Sequence, residues 1–155
     1  MTIQEAINRV DALRPNAQKR EWKIRWLSEL DGLIYHEIIL THERAHAGLK
    51  LSRWDIITRY PPEEREALMD QLHAQEDTEK FTGYNNDTPQ DTVLLAPYPY
   101  DEIYQHYLNR QIDLQNLEMD KYNNDTALFN NAYETFANWY TRTHMPIQRQ
   151  REMRI

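Results

Sequence analysis

The chain has 155 residues, the length of one domain, a formal net charge of −7 and no cysteine. Without thiols it has no disulfide scaffold, thiolate zinc site or cysteine nucleophile, and its acidity argues against gripping nucleic acid through phosphates, which takes clustered Lys and Arg. Three Gly and seven Pro are about half the usual share, so turns are few. That excludes a β-sandwich or small barrel, which needs a turn every ~8–12 residues.

A mean hydropathy of −0.90 is very polar, yet the chain holds 10 Tyr, 4 Trp and 3 Phe. Core and interface surface are therefore expected to be built from aromatics. No apolar run approaches ~18 residues and no signal-peptide pattern opens the chain, so neither a membrane span nor export by that route is expected.

Thr2 and Glu5 form a capping box ahead of Ile3, Ala6, Ile7 and Val10, one face of a short helix. Arg14-Pro15-Asn16 ends it, because the residue before Pro avoids the α region. A long helix is predicted from about Gln18 to about Ala47, with Gly48 as its C-cap. Ile24, Leu27, Ile34, Tyr35 and Ile38 mark one apolar stripe, and Trp22, Trp26, Leu30 and Leu33 a second, so the helix is covered on more than one side. Gly32 in its middle costs ~1 kcal/mol relative to Ala.

Ser52 caps a short helix holding Trp54, Ile56 and Ile57. Pro61-Pro62 opens the next, with Glu63, Glu64 and Glu66 complementing its dipole and Leu68, Met69 and Leu72 as a narrow apolar edge. Over 61–80, seven acidic side chains face Arg65 and Lys80 alone. Residues 77–92 read as a loop rich in turn residues. Phe81 and Tyr84 against Val93-Leu94-Leu95 suggest a small hairpin.

From Tyr100 the strongest helical block runs through Ile103, Tyr104, Tyr107, Leu108 and Ile112 to Tyr122. Asn123-Asn124-Asp125 is expected to interrupt it and start a second helix carrying Leu128, Phe129, Ala132, Tyr133, Phe136, Ala137 and Tyr140 to about Thr143. Residues 147–155 read as a flexible basic tail with Arg149, Arg151 and Arg154. The fold class is all-α: a bundle of long helices with a short β-hairpin or extended loop around 80–96, in one domain over 1–146.

The sharpest chemical motif is His42-Glu43-Arg44-Ala45-His46. It matches H-E-x-x-H, two imidazoles one helical turn apart for zinc with Glu as general base, and Glu63, Glu64 or Glu66 would be a third ligand. Against it, Arg44 sets a cation between the ligands, and the zinc-peptidase core needs a sheet edge this chain lacks. The plain reading is a solvated helix end. His36, His73, His106 and His144 read as surface or half-buried. The tyrosines at 98, 100, 104 and 107 suggest base stacking, but no Lys or Arg lies among them, and Asp101 and Glu102 do; a core or subunit interface fits better. Asp101 and Glu102 are read as partners of a helix dipole. Three glycines cannot build a P-loop or dinucleotide-binding loop.

The opening INRVDALRPN followed by KIRWLSELDGLIYHEIILTH, and the stretch LLAPYPYDEIYQHYLNRQIDLQNLEMDKYNNDTALFNNAYETFANWYTRTHMP, resemble small structural proteins of tailed bacteriophages. These are head–tail connector (adaptor, or head-completion) proteins. The likeness covers roughly 1–42 and 93–146, with 43–92 as a variable insertion. It implies a non-enzymatic, mostly helical virion protein with no cofactor, metal or catalytic residue. Such a protein is assembled in the host bacterial cytoplasm and located at the virion neck. It would form a ring, typically of twelve copies, below the portal, touch a tail-completion or tail-terminator protein on its other side, and let DNA pass through its lumen without sequence-specific binding. A ring needs two different patches per subunit. Within this reading the subunit and portal contacts are Trp22, Trp26, Tyr100, Tyr104, Tyr107, Arg149, Arg151 and Arg154, and the acidic surplus suits a channel that repels DNA. The alternatives are another neck or tail-completion protein, a small zinc metallopeptidase using His42, Glu43 and His46, and a nucleic-acid-binding regulator.

Overall fold

The computed structural model describes residues 1–44, 46 and 49–147. Six α-helices dominate, and no sheet forms among the described residues.

Helix α1 (Ile3–Leu13) starts at the Thr2/Glu5 capping box: the Glu5 amide donates to Thr2 Oγ1 at 3.2 Å and the Thr2 amide to Glu5 Oε2 at 3.1 Å. It buries Ile3, Ala6, Ile7 and Val10 and ends at Arg14, which is extended ahead of Pro15.

Helix α2 (Arg20–Ile34) stops well short of Ala47. It passes into a π-turn (Tyr35–Ile39), closed by the Leu40 amide on the Tyr35 carbonyl at 2.9 Å. The chain then leaves helical geometry. Thr41 Oγ1 donates to the Glu37 and Ile38 carbonyls, and His42 Nδ1 also donates to Ile38 O, so side chains replace the next rungs of the ladder. Segment 41–43 pairs instead with the C-terminal segment: the Ile147 amide donates to Thr41 O at 2.9 Å and the Glu43 amide to Met145 O at 2.7 Å. The expected C-cap, Gly48, lies outside the described residues.

Helix α3 (Arg53–Arg59) carries the capping box of Ser52 and Asp55. Helix α4 (Pro62–Thr78) starts with Pro61 as N-cap and Pro62 in the first turn, and packs on α3.

The connection from α4 to α5 is irregular. Val93 bridges Thr2 rather than the Phe81–Tyr84 segment, with the Ile3 amide on Thr92 O and the Leu94 amide on Met1 O. The expected hairpin is therefore replaced by pairing with the chain start. Gly83 sits at φ +94°, where a Cβ would come within 2.9 Å of Ser28 Oγ, the hydroxyl that accepts the Tyr84 amide. That turn needs glycine.

Helices α5 (Glu102–Gln115) and α6 (Met119–Thr143) form the most extensive helix pair. The break between them falls at 116–118, not at Asn123-Asn124-Asp125. Leu117 takes φ 59°; its amide donates to Leu114 O and the Glu118 amide to Asp113 O. This is a Schellman motif with leucine where glycine is usual. Asn123 and Asn124 stay helical because Asp125 is buried against Arg14, an ion pair that overrides local cap preference.

One apolar cluster joins α1, α2, α5 and α6. Its buried members run from Ile3 to Ile38 and from Leu94 to Tyr140. Ile56 and Leu72 are buried too, but outside it.

Candidate functional site

His42, Glu43 and His46 lie in the irregular segment after the π-turn, not on a helix. Each serves a different element. His42 Nδ1 donates to Ile38 O at 2.6 Å, Nε2 meets Thr141 Oγ1 at 3.0 Å, and the ring stands edge-on to Tyr140. Both its nitrogens are thus engaged, tying the segment to α6. Glu43 accepts the Arg53 and Trp54 amides in the first turn of α3, beside the Arg53 guanidinium; burial nonetheless pushes its carboxyl above the ordinary value. His46 is buried, with Nδ1 on the Glu79 carboxylate and Nε2 3.9 Å from Glu76 Oε1, which ties the segment to the end of α4.

Zinc binding by the motif needs both imidazoles turned to one point. Here one points to α6 and the other to α4, so the expected helical ligand pair is absent. Among the described residues no three His, Asp or Glu side chains form a group able to hold a metal ion. Glu63, Glu64 and Glu66 lie exposed at the start of α4. Arg44 turns back to donate to Ile39 O at 3.1 Å. The motif residues act as three structural ties.

The aromatic contact residues divide. Trp26 is buried in the bundle, and Tyr104 is fully enclosed, its hydroxyl donating to Asp31 and accepting the Ala96 amide. Neither presents surface to a partner, which corrects the expectation for both: Trp26 and Tyr104 turn toward the core shared by α2 and α5, while Trp22 and Leu33 of the Trp26 stripe stay exposed. Tyr100 is half-buried and stacks on Trp139 at 4.8 Å, and Tyr107 packs on Phe129 at 5.2 Å. Trp22 remains exposed, with the Arg25 guanidinium over its ring at 5.6 Å. Arg149, Arg151 and Arg154 lie outside the described residues.

Two polar groups inside the bundle escape sequence reading. Asp31 is fully buried and accepts from Tyr84 at 2.5 Å, Tyr104 at 2.6 Å and the Leu95 amide at 3.2 Å. Burial raises its carboxyl and the three donors oppose that. Arg14 bridges Asp113 and Asp125. Burial and the neighbouring Asp125 carboxyl push Asp113 up to about 6, against the pull of Arg14. The apolar spacing around these positions marks them as core-facing, but which groups meet them depends on tertiary packing.

The two ends of the bundle differ as a result. Where α1 ends, α2 starts and α5 turns into α6, the Lys23–Asp11 pair at 2.6 Å and the Arg14 clamp join the elements. The opposite end carries the three motif ties and, beyond them, the acidic α4. Comparison of the chain with family models, with curated proteins and with solved structures returns no match. Among the described residues no helix is long and apolar enough to cross a membrane.

Proposed function

We propose that the chain is a non-enzymatic structural subunit of a tailed bacteriophage, a head–tail connector that forms a ring at the virion neck. It would sit below the portal, extend the DNA channel and receive a tail-completion or tail-terminator protein. The observation that carries this reading is the match between the resemblance and the core. The two resembling stretches, 1–42 and 93–146, supply the buried members of one apolar cluster, while α3 and α4 stand outside it as an appended unit. A bundle with chemically different ends also supports it, since a closed ring requires unlike patches on each subunit. The acidic surface of α4 suits a wall along which DNA phosphates slide.

Co-expression with the portal protein encoded beside it tests the reading. Ring-shaped assemblies of portal plus many copies of this chain are expected by mass measurement and electron microscopy. A chain that stays monomeric and unbound when mixed with that portal would sink it. Stoichiometric zinc in purified protein, lost in His46→Ala, would favour the peptidase alternative, against the divergent directions of the two buried imidazoles.

A further inference from the structure

The last described residue, Ile147, donates its amide to Thr41 O at 2.9 Å. It then forms part of the wall of a cleft of about 280 Å³, with Leu40, Glu43, Leu72, His73 and Glu76. Behind this wall two acceptors stand without a donor. When His46 Nδ1 carries its proton toward the Glu79 carboxylate, the neutral ring presents a bare lone pair at Nε2. That atom is buried, has no hydrogen-bond partner among the described residues and lies 3.9 Å from Glu76 Oε1. The arginines around the cleft are engaged elsewhere: Arg44 on Ile39 O at 3.1 Å, Arg53 beside Glu43, Arg59 with Asp55 at 3.6 Å and Arg65 on Tyr60 O at 2.8 Å. Lys50 and Lys80 are exposed, and neither lines the cleft. From His73 toward the start of α4, Asp70, Glu66 and Glu63 continue one exposed face at helical spacing. None of these three carboxylates has an ion-pair partner among the described residues.

The chain itself supplies a segment of opposite charge at this point. Residues 148–155 follow directly from Ile147 and carry Arg149, Arg151 and Arg154 against Glu152. Such a segment reaches at most about 26–29 Å, and α4 rises about 20 Å from Glu76 back to Glu63. We propose that the C-terminal segment closes as a clasp on its own α4, Arg149 donating to the Glu76–His46 acceptor pair and Arg151 and Arg154 lying along Asp70, Glu66 and Glu63. Because Ile147 is already held at the cleft, a tether of a few residues gives the arginines a millimolar effective concentration there. The clasp masks the acidic face of α4, and a partner that takes the tail exposes that face. It needs neither portal nor a second copy, so it stands apart from the connector reading.

Trypsin tests the clasp on the full chain, since it cuts after Arg149 and Arg151. Followed by mass, the cut after Arg151 should run several-fold faster in the triple variant Glu63→Gln, Glu66→Gln, Asp70→Asn than in wild type. Those positions are exposed, so the fold is kept. Glu76→Gln should speed the cut after Arg149. Both differences should vanish at 1 M salt, where charges are screened beyond about 3 Å. The chain has no cysteine, so Met153→Cys takes a single spin label. That label should broaden the amides of residues 63–70 several-fold more than those of α1. Equal cleavage in wild type and variants, or uniform broadening, would overturn the proposal. So would broadening of an isotope-labelled chain by a separate spin-labelled one, which places the tail on another copy, and protection that arises only with portal present. Ring assembly on portal succeeds or fails independently of these readouts on the free chain.

Discussion

The helices α1, α2, α5 and α6 and the α3–α4 unit are held by different forces. Helices α1, α2, α5 and α6 share one apolar cluster, and two polar ties run through it: Asp31 to two tyrosines, and Arg14 to two aspartates. The α3–α4 unit buries Ile56 and Leu72 and is tied to the rest through Glu43 and His46. The first arrangement is expected to unfold as a block, because removing any core side chain weakens every helix that contacts it. The second is expected to open separately, because its buried Ile56 and Leu72 lie outside the shared apolar cluster.

The strongest way to break this contrast is a pair of truncations. Phe136→Ala removes a ring packed on Tyr100, Trp139 and Tyr140 and is expected to cost about 3–5 kcal/mol in global stability by denaturant titration. Ile56→Ala is expected to cost about 2 kcal/mol, confined to α3 and α4. In native-state hydrogen exchange α3 and α4 should lose protection while α5 keeps it; uniform loss would show a single cooperative block. Next comes Asp31→Ala, which strands two tyrosine hydroxyls and the Leu95 amide. About 3 kcal/mol of destabilisation is expected, with Asp31→Asn milder because it keeps an acceptor.

Acidity sharpens the comparison within the bundle. Asp113 sits at about 6 when folded against about 3.9 for a free aspartate. The folded state therefore binds more protons between those values, and this group's contribution falls as pH rises from 4 to 7. Thermal melts should show the wild type gaining stability relative to Asp113→Asn as pH is lowered across that window. An unchanged difference would remove the clamp from the account. The smallest effect is Gly32→Ala. A Cβ there meets Phe81 Cε1 at an ordinary 3.8 Å, so the helix preference of alanine should add up to about 1 kcal/mol.

What could be read from sequence alone follows the same division. The capping box at Thr2, the Ser52 cap, the Pro61-Pro62 start and the apolar stripes of α1, α5 and α6 are local signals, and each places its element. The helix over 18–47 overruns because the event that ends it is non-local: residues 41–43 pair with 145–147, a hundred residues away in sequence. The α5–α6 break is misplaced for a similar reason. Asn123-Asn124-Asp125 has the composition of a cap, but Asp125 is spent on Arg14, while a leucine takes the turn that composition would assign to glycine. Among the candidate contacts, periodicity could not tell the core-facing Trp26 and Tyr104 from the exposed Trp22. The H-E-x-x-H spacing describes chemistry only on a helix; off it, the same three side chains reach in three directions.

The π-turn at 35–39 sets the phase of everything after it. An α-helix advances about 100° per residue, and a wide turn inserts one residue without adding a turn. Deleting one residue there would restore regular winding but swing Thr41, His42 and Glu43 roughly a quarter-turn around the axis, away from Met145 and Ile147. The extra residue thus works as an angular spacer: it aims the exit of the second helix at the end of the last one, and through Glu43 and His46 it sets where the acidic helix is mounted.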